Sequence, residues 1–229
     1  MPVKRIAMAV INEMEIRGVV VGTFQENCYI ISSQQTKEAI IIDPGDEPER
    51  ILEVAKDMGV NVKVIANSHG HGDHVMAISG IKQIHDIPFL IHNSEIPVLE
   101  RSYQSMRDYL GDNLSDIPHP DGYVEDNGKV SVAGLDLHVI HTPGHTPGSV
   151  SYFVNGLLFS GDTLFRGSIG RTDLPGGSYE QIMEGITNKL LKLPDDTIVL
   201  PGHMLQTSIG EERNNNPFIL DALRKKQDK

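Results

Sequence analysis

The chain has 229 residues, with 20 Lys and Arg against 31 Asp and Glu, for a formal net charge of −11. That length fits one large domain or two small ones, with a core that needs no disulfide staple, and the single cysteine cannot make one within the chain. The acidic balance excludes the basic footprint that nucleic-acid binding leaves, and no apolar run approaches the length of a membrane span.

Residues 1–5 precede a short apolar run over 6–11, too short for a signal-peptide core and without a small-residue cleavage site. The cytoplasm is therefore the expected location. Strand-like runs follow over 18–21, 28–31 and 39–43, and Cys28 inside the second reads as a small buried hydrophobe. A turn at Pro44-Gly45 leads to a helix over 47–58, with Ile51, Leu52, Val54 and Ala55 on its apolar face. A strand over 62–66 carries a His-rich segment at its end, followed by a helix over 75–85, a strand over 88–92 and a helix over 94–110. Residues 111–123 read as a polar loop. Strands are then expected over 130–132, 135–140, 149–154 and 157–160, the last two joined by the hairpin signal Asn155-Gly156. A helix over 178–191 capped by Ser178, a strand over 196–200 and a C-terminal helix from 216 complete the reading. Two strand-rich halves, each with helices, imply two sheets packed face to face and covered by helices outside.

The segment Ser68-His69-Gly70-His71-Gly72-Asp73-His74 packs three imidazoles and one carboxylate into six positions. Neutral imidazole suits zinc and iron, and carboxylate oxygen completes such sites. Extended backbone sends residues two apart to one face, so His69 and His71 can point at one ion, and a turn at Gly72 can aim Asp73 and His74 at a second. Three later loops carry further donors, each after an apolar run: His141-Thr142-Pro143-Gly144-His145, Ser160-Gly161-Asp162-Thr163 and Pro201-Gly202-His203. Rigid strands would hold these donors while glycines let the backbone turn toward the ions. Asp43 reads equally as a partner for a ligating imidazole and as a turn residue before Pro44-Gly45. His141 reads as structural, and His85, His92, His119 and His138 as surface or packing residues. Arg171 and Asp173 are expected to brace each other, and Phe165 and Arg166 could line a pocket.

Together these motifs resemble the metallo-β-lactamase superfamily, with residues 68–74 matching its T/S-H-x-H-x-D-H signature. The resemblance implies an α/β fold, a four-layer αββα sandwich of two mixed sheets flanked by helices, as one domain over 1–229. It also implies a binuclear site: His69, His71 and His145 on the first metal, Asp73, His74 and His203 on the second, and Asp162 bridging. Two divalent ions are implied, zinc the expected metal and iron or manganese the alternatives. The phrases at 141–149 and 161–165 are similar to the glyoxalase II group, which implies hydrolysis of a small-molecule thioester such as S-lactoylglutathione. Asp73 would then orient the nucleophile and move a proton. Neither nucleic acid nor membrane is an implied partner, and the oligomeric state stays open. Glyoxalase II proper has a basic C-terminal helical domain that grips glutathione. Here little chain follows His203, with Lys225-Lys226 its sole basic cluster. The run Gly170-Arg171-Thr172-Asp173 also resembles persulfide dioxygenases, so the alternative is a single iron held by His69, His145 and Asp162. A non-catalytic metal-binding module is the third reading.

Overall fold

Runs rich in β-branched residues make a first, seven-stranded sheet: β1 Ala7–Ile11, β2 Met14–Val21, β3 Glu26–Ser33, β4 Glu38–Ile42, β5 Asn61–Ala66, β6 Phe89–His92 and β7 Gly122–Val124. The computed structural model describes residues 7–11, 13–110 and 116–227. The strands lie side by side in chain order, antiparallel from β1 to β4 and parallel from β4 to β7. Parallel neighbours need crossovers. These are α1 Pro48–Asp57, then α2 Gly72–Val75 with α3 Ile78–Ile84, then α4 Ile96–Leu110.

The second sheet is built from β8 Lys129–Val132, β9 Leu135–His141, β10 Val150–Val154 and β11 Leu157–Gly161. A small hairpin, β12 Leu164–Phe165 with β13 Ser168–Ile169, then precedes helix α5 Tyr179–Asn188. The α5 crossover returns the chain as β14 Ile198–Pro201, parallel to β11, and β15 Thr207–Ser208 closes that edge. Helices α6 Ile209–Asn215 and α7 Pro217–Gln227 follow.

Alternation along the strands separates three apolar layers. On β4, Ile40 and Ile42 face the layer between the sheets, while Ala39 and Ile41 face the layer holding residues of α1, α3 and α4. Leu137, Val139, Tyr152 and Phe159 of the second sheet complete the middle layer. Leu158 and Val199, on its other face, pack with α5, α6 and α7. The result is the expected α/β/β/α arrangement.

Several elements differ from the sequence reading. The helix expected over 75–85 is two helices, because the Ala77 N–H donates to the Pro44 carbonyl (3.1 Å) and so interrupts the ladder. The first of them begins at Gly72, inside the His-rich segment. The polar loop expected over 111–123 begins at 111–115, outside the described residues. It ends early, since Gly122 and Tyr123 pair with β6 as part of β7. Residues 1–5, expected to lead into the apolar run, also lie outside. Of that run, Ala7–Ile11 makes the edge strand β1, in register with β2 from Ala7↔Gly18 to Ile11↔Met14. Ser178 caps α5 as expected, accepting from the Gln181 N–H. Cys28 is fully buried.

Phe159 is buried between the sheets and packs edge-on against Tyr29, with ring centroids 5.2 Å apart. Phe159→Ala is expected to destabilise the protein by about 3–5 kcal/mol, read from urea unfolding at fixed metal content. A loss under about 1 kcal/mol would contradict this account of the middle layer.

Candidate metal centre

Strand ends from both sheets deliver the candidate residues to one edge. The parallel register Gly161↔Pro201 sets Asp162 beside Gly202 and His203. Gly202 allows that approach: a Cβ there would lie 2.5 Å from Asp162 Oδ1 and 2.6 Å from His74 Cε1. Beyond β5, the Ser68 N–H and hydroxyl both donate to Asp43 at 2.6 Å, and the Asn67 amide donates to the His74 carbonyl at 2.7 Å. Tyr152, from the second sheet, donates its hydroxyl to the Asn67 carbonyl at 2.8 Å. His71 keeps extended backbone and serves as the N-cap of α2. The helical turn that starts at Gly72, rather than a glycine-specific bend, re-aims Asp73 and His74.

All seven candidate donors meet. His71 Nδ1 lies 3.1 Å from His69 Nε2 and 2.9 Å from His145 Nε2. Asp73 Oδ2 is 3.2 Å from His203 Nε2. Asp162 reaches toward both clusters, with His74 Nε2 at 3.5 Å, His145 Nε2 at 3.6 Å and His203 Nε2 at 3.8 Å. Donor atoms of His69, His71 and His145 all lie within 4.8 Å of one another, as do those of Asp73, His74 and His203, and those of His69, His74 and Asp162.

Proton counting tests whether a cation fits. His145 Nδ1 faces the Arg171 carbonyl at 2.8 Å, and His74 Nδ1 faces the Asp43 carboxylate at 3.2 Å. Both acceptors call for N–H at Nδ1, which leaves the neutral His145 ring with a bare Nε2. His74 Nε2 and Asp162 Oδ1 are both buried without a hydrogen-bond partner, and the 3.5 Å gap between them is not bridged by a hydrogen bond. Nor can one His71 Nδ1 proton satisfy both His69 and His145. Buried acceptors without donors are costly, and imidazole with carboxylate is a donor set that divalent transition metals accept. The residues fit such ions.

Electrostatics divide the two clusters. Burial, with the neighbouring histidines, lowers the pKa of His69 well below the ordinary value; burial and His145 lower that of His71 to about 3. Burial also lowers His145, so all three rings are neutral near pH 7, the form that ligates. In the other cluster, burial alone would oppose the charge on Asp73, but His74 and His203 outweigh it and hold its carboxyl well below the usual range. Burial would likewise lower His74, yet Asp162, Asp73 and Asp43 raise it well above the ordinary value.

Asp43 thus supports the loop and orients His74, which joins the two readings its sequence position allowed. Asn27 and Glu26 escaped the sequence reading. The Asn27 amide donates to the Pro201 and Met204 carbonyls, both at 3.0 Å, and so holds the left-handed Met204 (φ 71°) that follows His203. Glu26 is buried with its carboxyl 3.9 Å from His74 Nδ1, and neither oxygen has a hydrogen-bond partner. Burial raises its pKa well above the ordinary value. No local pattern marks either residue.

The remaining residues fall outside the clusters. His141 stacks on His92, rings 4.5 Å apart and 9° from parallel, while His85, His119 and His138 are exposed. Arg171 grips Asp173 through two bonds of 2.8 Å. A cavity of about 720 Å³ opens over Asp73, Asp162 and His203, with Phe24, Phe165 and Met204 as apolar wall and Arg101 and Arg171 as its Arg residues. Arg166 is exposed and does not line it. Among the described residues, no helix is long and apolar enough to cross a membrane.

A sandwich of two mixed sheets with imidazoles and carboxylates gathered at one edge defines a protein with a candidate metal site. The chain belongs to the metallo-beta-lactamase superfamily, whose model matches residues 21–203. It is 37% identical to the hydroxyacylglutathione hydrolase GloC of Haemophilus influenzae, over 90% of this chain and 98% of that one. Among solved structures it is similar to the B3 metallo-beta-lactamase BLEG-1, at 35% identity and TM-score 0.82, over 89% of this chain and 99% of that one. TTHA1623 in a di-iron-bound form aligns at 35% identity and TM-score 0.79, over 88% and 98%. ETHE1 from Myxococcus xanthus aligns at 27% identity and TM-score 0.73, over 88% and 83%. The family implies divalent metal at this edge, and the di-iron neighbour leaves the element open.

Replacing Asp43 by Ala removes the acceptor that orients His74 and two donors' partner at Ser68. Ion affinity is expected to fall about 10–100-fold, measured by chelator competition. Unchanged affinity would exclude this role for Asp43.

Proposed function

We propose that the protein is a metal-dependent hydrolase of the short glyoxalase II-like kind, cleaving a small-molecule thioester such as S-lactoylglutathione. The observation that carries this reading is the complete donor set, His69, His71, Asp73, His74, His145, Asp162 and His203, of which His71, Asp73, His145, Asp162 and His203 line an open cavity and His69 and His74 lie buried behind it. Two divalent ions, zinc by expectation, would supply Lewis acidity and a water acidified toward a pKa of about 7. His69, His71 and His145 would hold one ion, Asp73, His74 and His203 the other, and Asp162 both. The similarity to GloC supports the thioester as substrate.

The chain's own groups do the rest. Asp73 lines the cavity with Oδ2 beside His203, so it is placed to orient the attacking water and move its proton. A thiolate leaves without a strong general acid, and among the described residues the cavity offers none beyond the candidate ligands. Phe24, Phe165 and Met204 exclude water around the acyl group. Lys225 in α7 is bonded to Asp221 at 2.6 Å. At the cavity rim Asp173 already neutralises Arg171, and Arg101 is the other cation placed to meet a thiol carrier. The proposed partner is a small molecule rather than nucleic acid or membrane, and the proposed location is the cytoplasm.

The similarity to ETHE1 supports a second reading, a persulfide dioxygenase with one iron on His69, His145 and Asp162. Metal analysis of protein purified without added metal, with thiol-release and oxygen-uptake assays, separates the two. Two ions and thiol release are expected; one iron with sulfite formation would establish the oxygenase instead.

Asp162→Ala is expected to lose metal and activity together, because it removes the group shared by both clusters. Asp73→Asn should cut turnover about 10²–10⁴-fold while the ion on His69, His71 and His145 stays bound. Intact turnover in Asp73→Asn would remove that residue from the chemistry.

A further inference from the structure

We infer that Glu95 is a positioning residue that sets the spacing between the His69–His71 pair and His145; this rests on reading those imidazoles as an ion-binding group. Glu95 closes the helical turn Asn93–Glu95 that follows β6, and its side chain is wholly buried. One carboxylate oxygen, Oε2, accepts from the Gly70 N–H at 2.7 Å. The other, Oε1, accepts from the Gly148 N–H at 2.7 Å. Gly70 stands between His69 and His71, and Gly148, three residues after His145, lies inside the turn closed by the Ser149 N–H on the Thr146 carbonyl.

The two loops leave different sheets, one beyond β5 and one beyond β9. A single carboxylate therefore fastens the two halves of one cluster to each other, from behind and without joining it. Glu95 belongs to none of the metal-competent groups among the described residues. Two donors, one on each oxygen, require an acceptor at both positions, which an ionised carboxylate provides. Glutamine is isosteric but offers one acceptor and one NH₂, so its NH₂ must oppose the N–H of Gly70 or Gly148. One loop must then retreat, and the distance between His71 and His145, 2.9 Å at its closest, must open. The Val150 N–H to Ser68 carbonyl bond (2.9 Å) still ties the loop bases, so the fold has a second link.

The test compares the wild-type chain with Glu95→Gln, each stripped of metal and reloaded with Zn²⁺ or Co²⁺. Chelator competition reads the affinity of each ion, and the Co²⁺ absorption bands read ligand geometry. The wild type should bind two ions. In Glu95→Gln the ion on His69, His71 and His145 should weaken about 10-fold or more and its cobalt bands should shift, while the ion on Asp73, His74 and His203 is unchanged. Loss of both ions in parallel, or unchanged affinities with unchanged bands, would overturn the inference. Should Glu95→Gln fail to fold, Glu95→Asp, which keeps the charge but is one methylene too short to reach both the Gly70 and Gly148 N–H groups, gives the same reading. A wild-type chain that retains no ion sinks the metal-centre reading itself, a result distinct from two ions held equally in both proteins.

Discussion

The apolar layer between the two sheets determines where every metal-competent side chain lies. Ile40, Ile42, Val64 and Ala66 on one sheet meet Leu137, Val139, Tyr152 and Phe159 on the other. The segment from His69 to His74 leaves the first sheet, whereas His145, Asp162 and His203 leave the second. The groups that open on the cavity need both sheets: His69 and His71 need His145, and Asp73 and His74 need His203, whereas Glu26, Asp43 and His74 form a buried group from the first sheet alone. Interiors packed to crystal-like density do not slide by fractions of an ångström. That rigidity lets glycine-rich loops hold donor atoms a few ångströms apart without covering them in further structure.

The same packing creates an electrostatic tension. Buried imidazole nitrogens and a carboxylate oxygen converge without enough hydrogen-bond partners to satisfy them. Such a site suits divalent cations, and ion binding would then add to folding stability. Behind the donors lies a second layer of acids. Asp43 spends its carboxylate on Ser68 and His74, Glu95 on Gly70 and Gly148, and Glu26 lies unpartnered beside His74. Most of this layer acts on backbone rather than on donors. The ligand loops are therefore held in place partly by groups that never approach the ion.

Sequence patterns revealed the strands well where apolar runs were long, as in β3, β4 and β11. Short pieces were missed for a physical reason. In β7, β12, β13 and β15 two or three residues are too few to show alternation, and only pairing with a neighbour makes them strands. The break between α2 and α3 was equally invisible, because it arises from a hydrogen bond to Pro44, distant in the chain. The donors were legible because metal chemistry admits few residue types at tight spacing. Glu95 and Asn27 were not, since each works through backbone atoms far along the chain and any exposed Glu or Asn would read the same. Asp43 could be read two ways, and its neighbours in space made both true.

By itself, then, the order of residues determined the donor inventory and the layered class of fold, because residue chemistry and hydrophobic period are local properties. Tertiary structure alone decided which donors share a neighbourhood, which ring nitrogen is left bare and which buried acids brace the loops. Those outcomes depend on how two sheets register against each other. That register is set by contacts summed over the whole apolar layer and not by any segment of it.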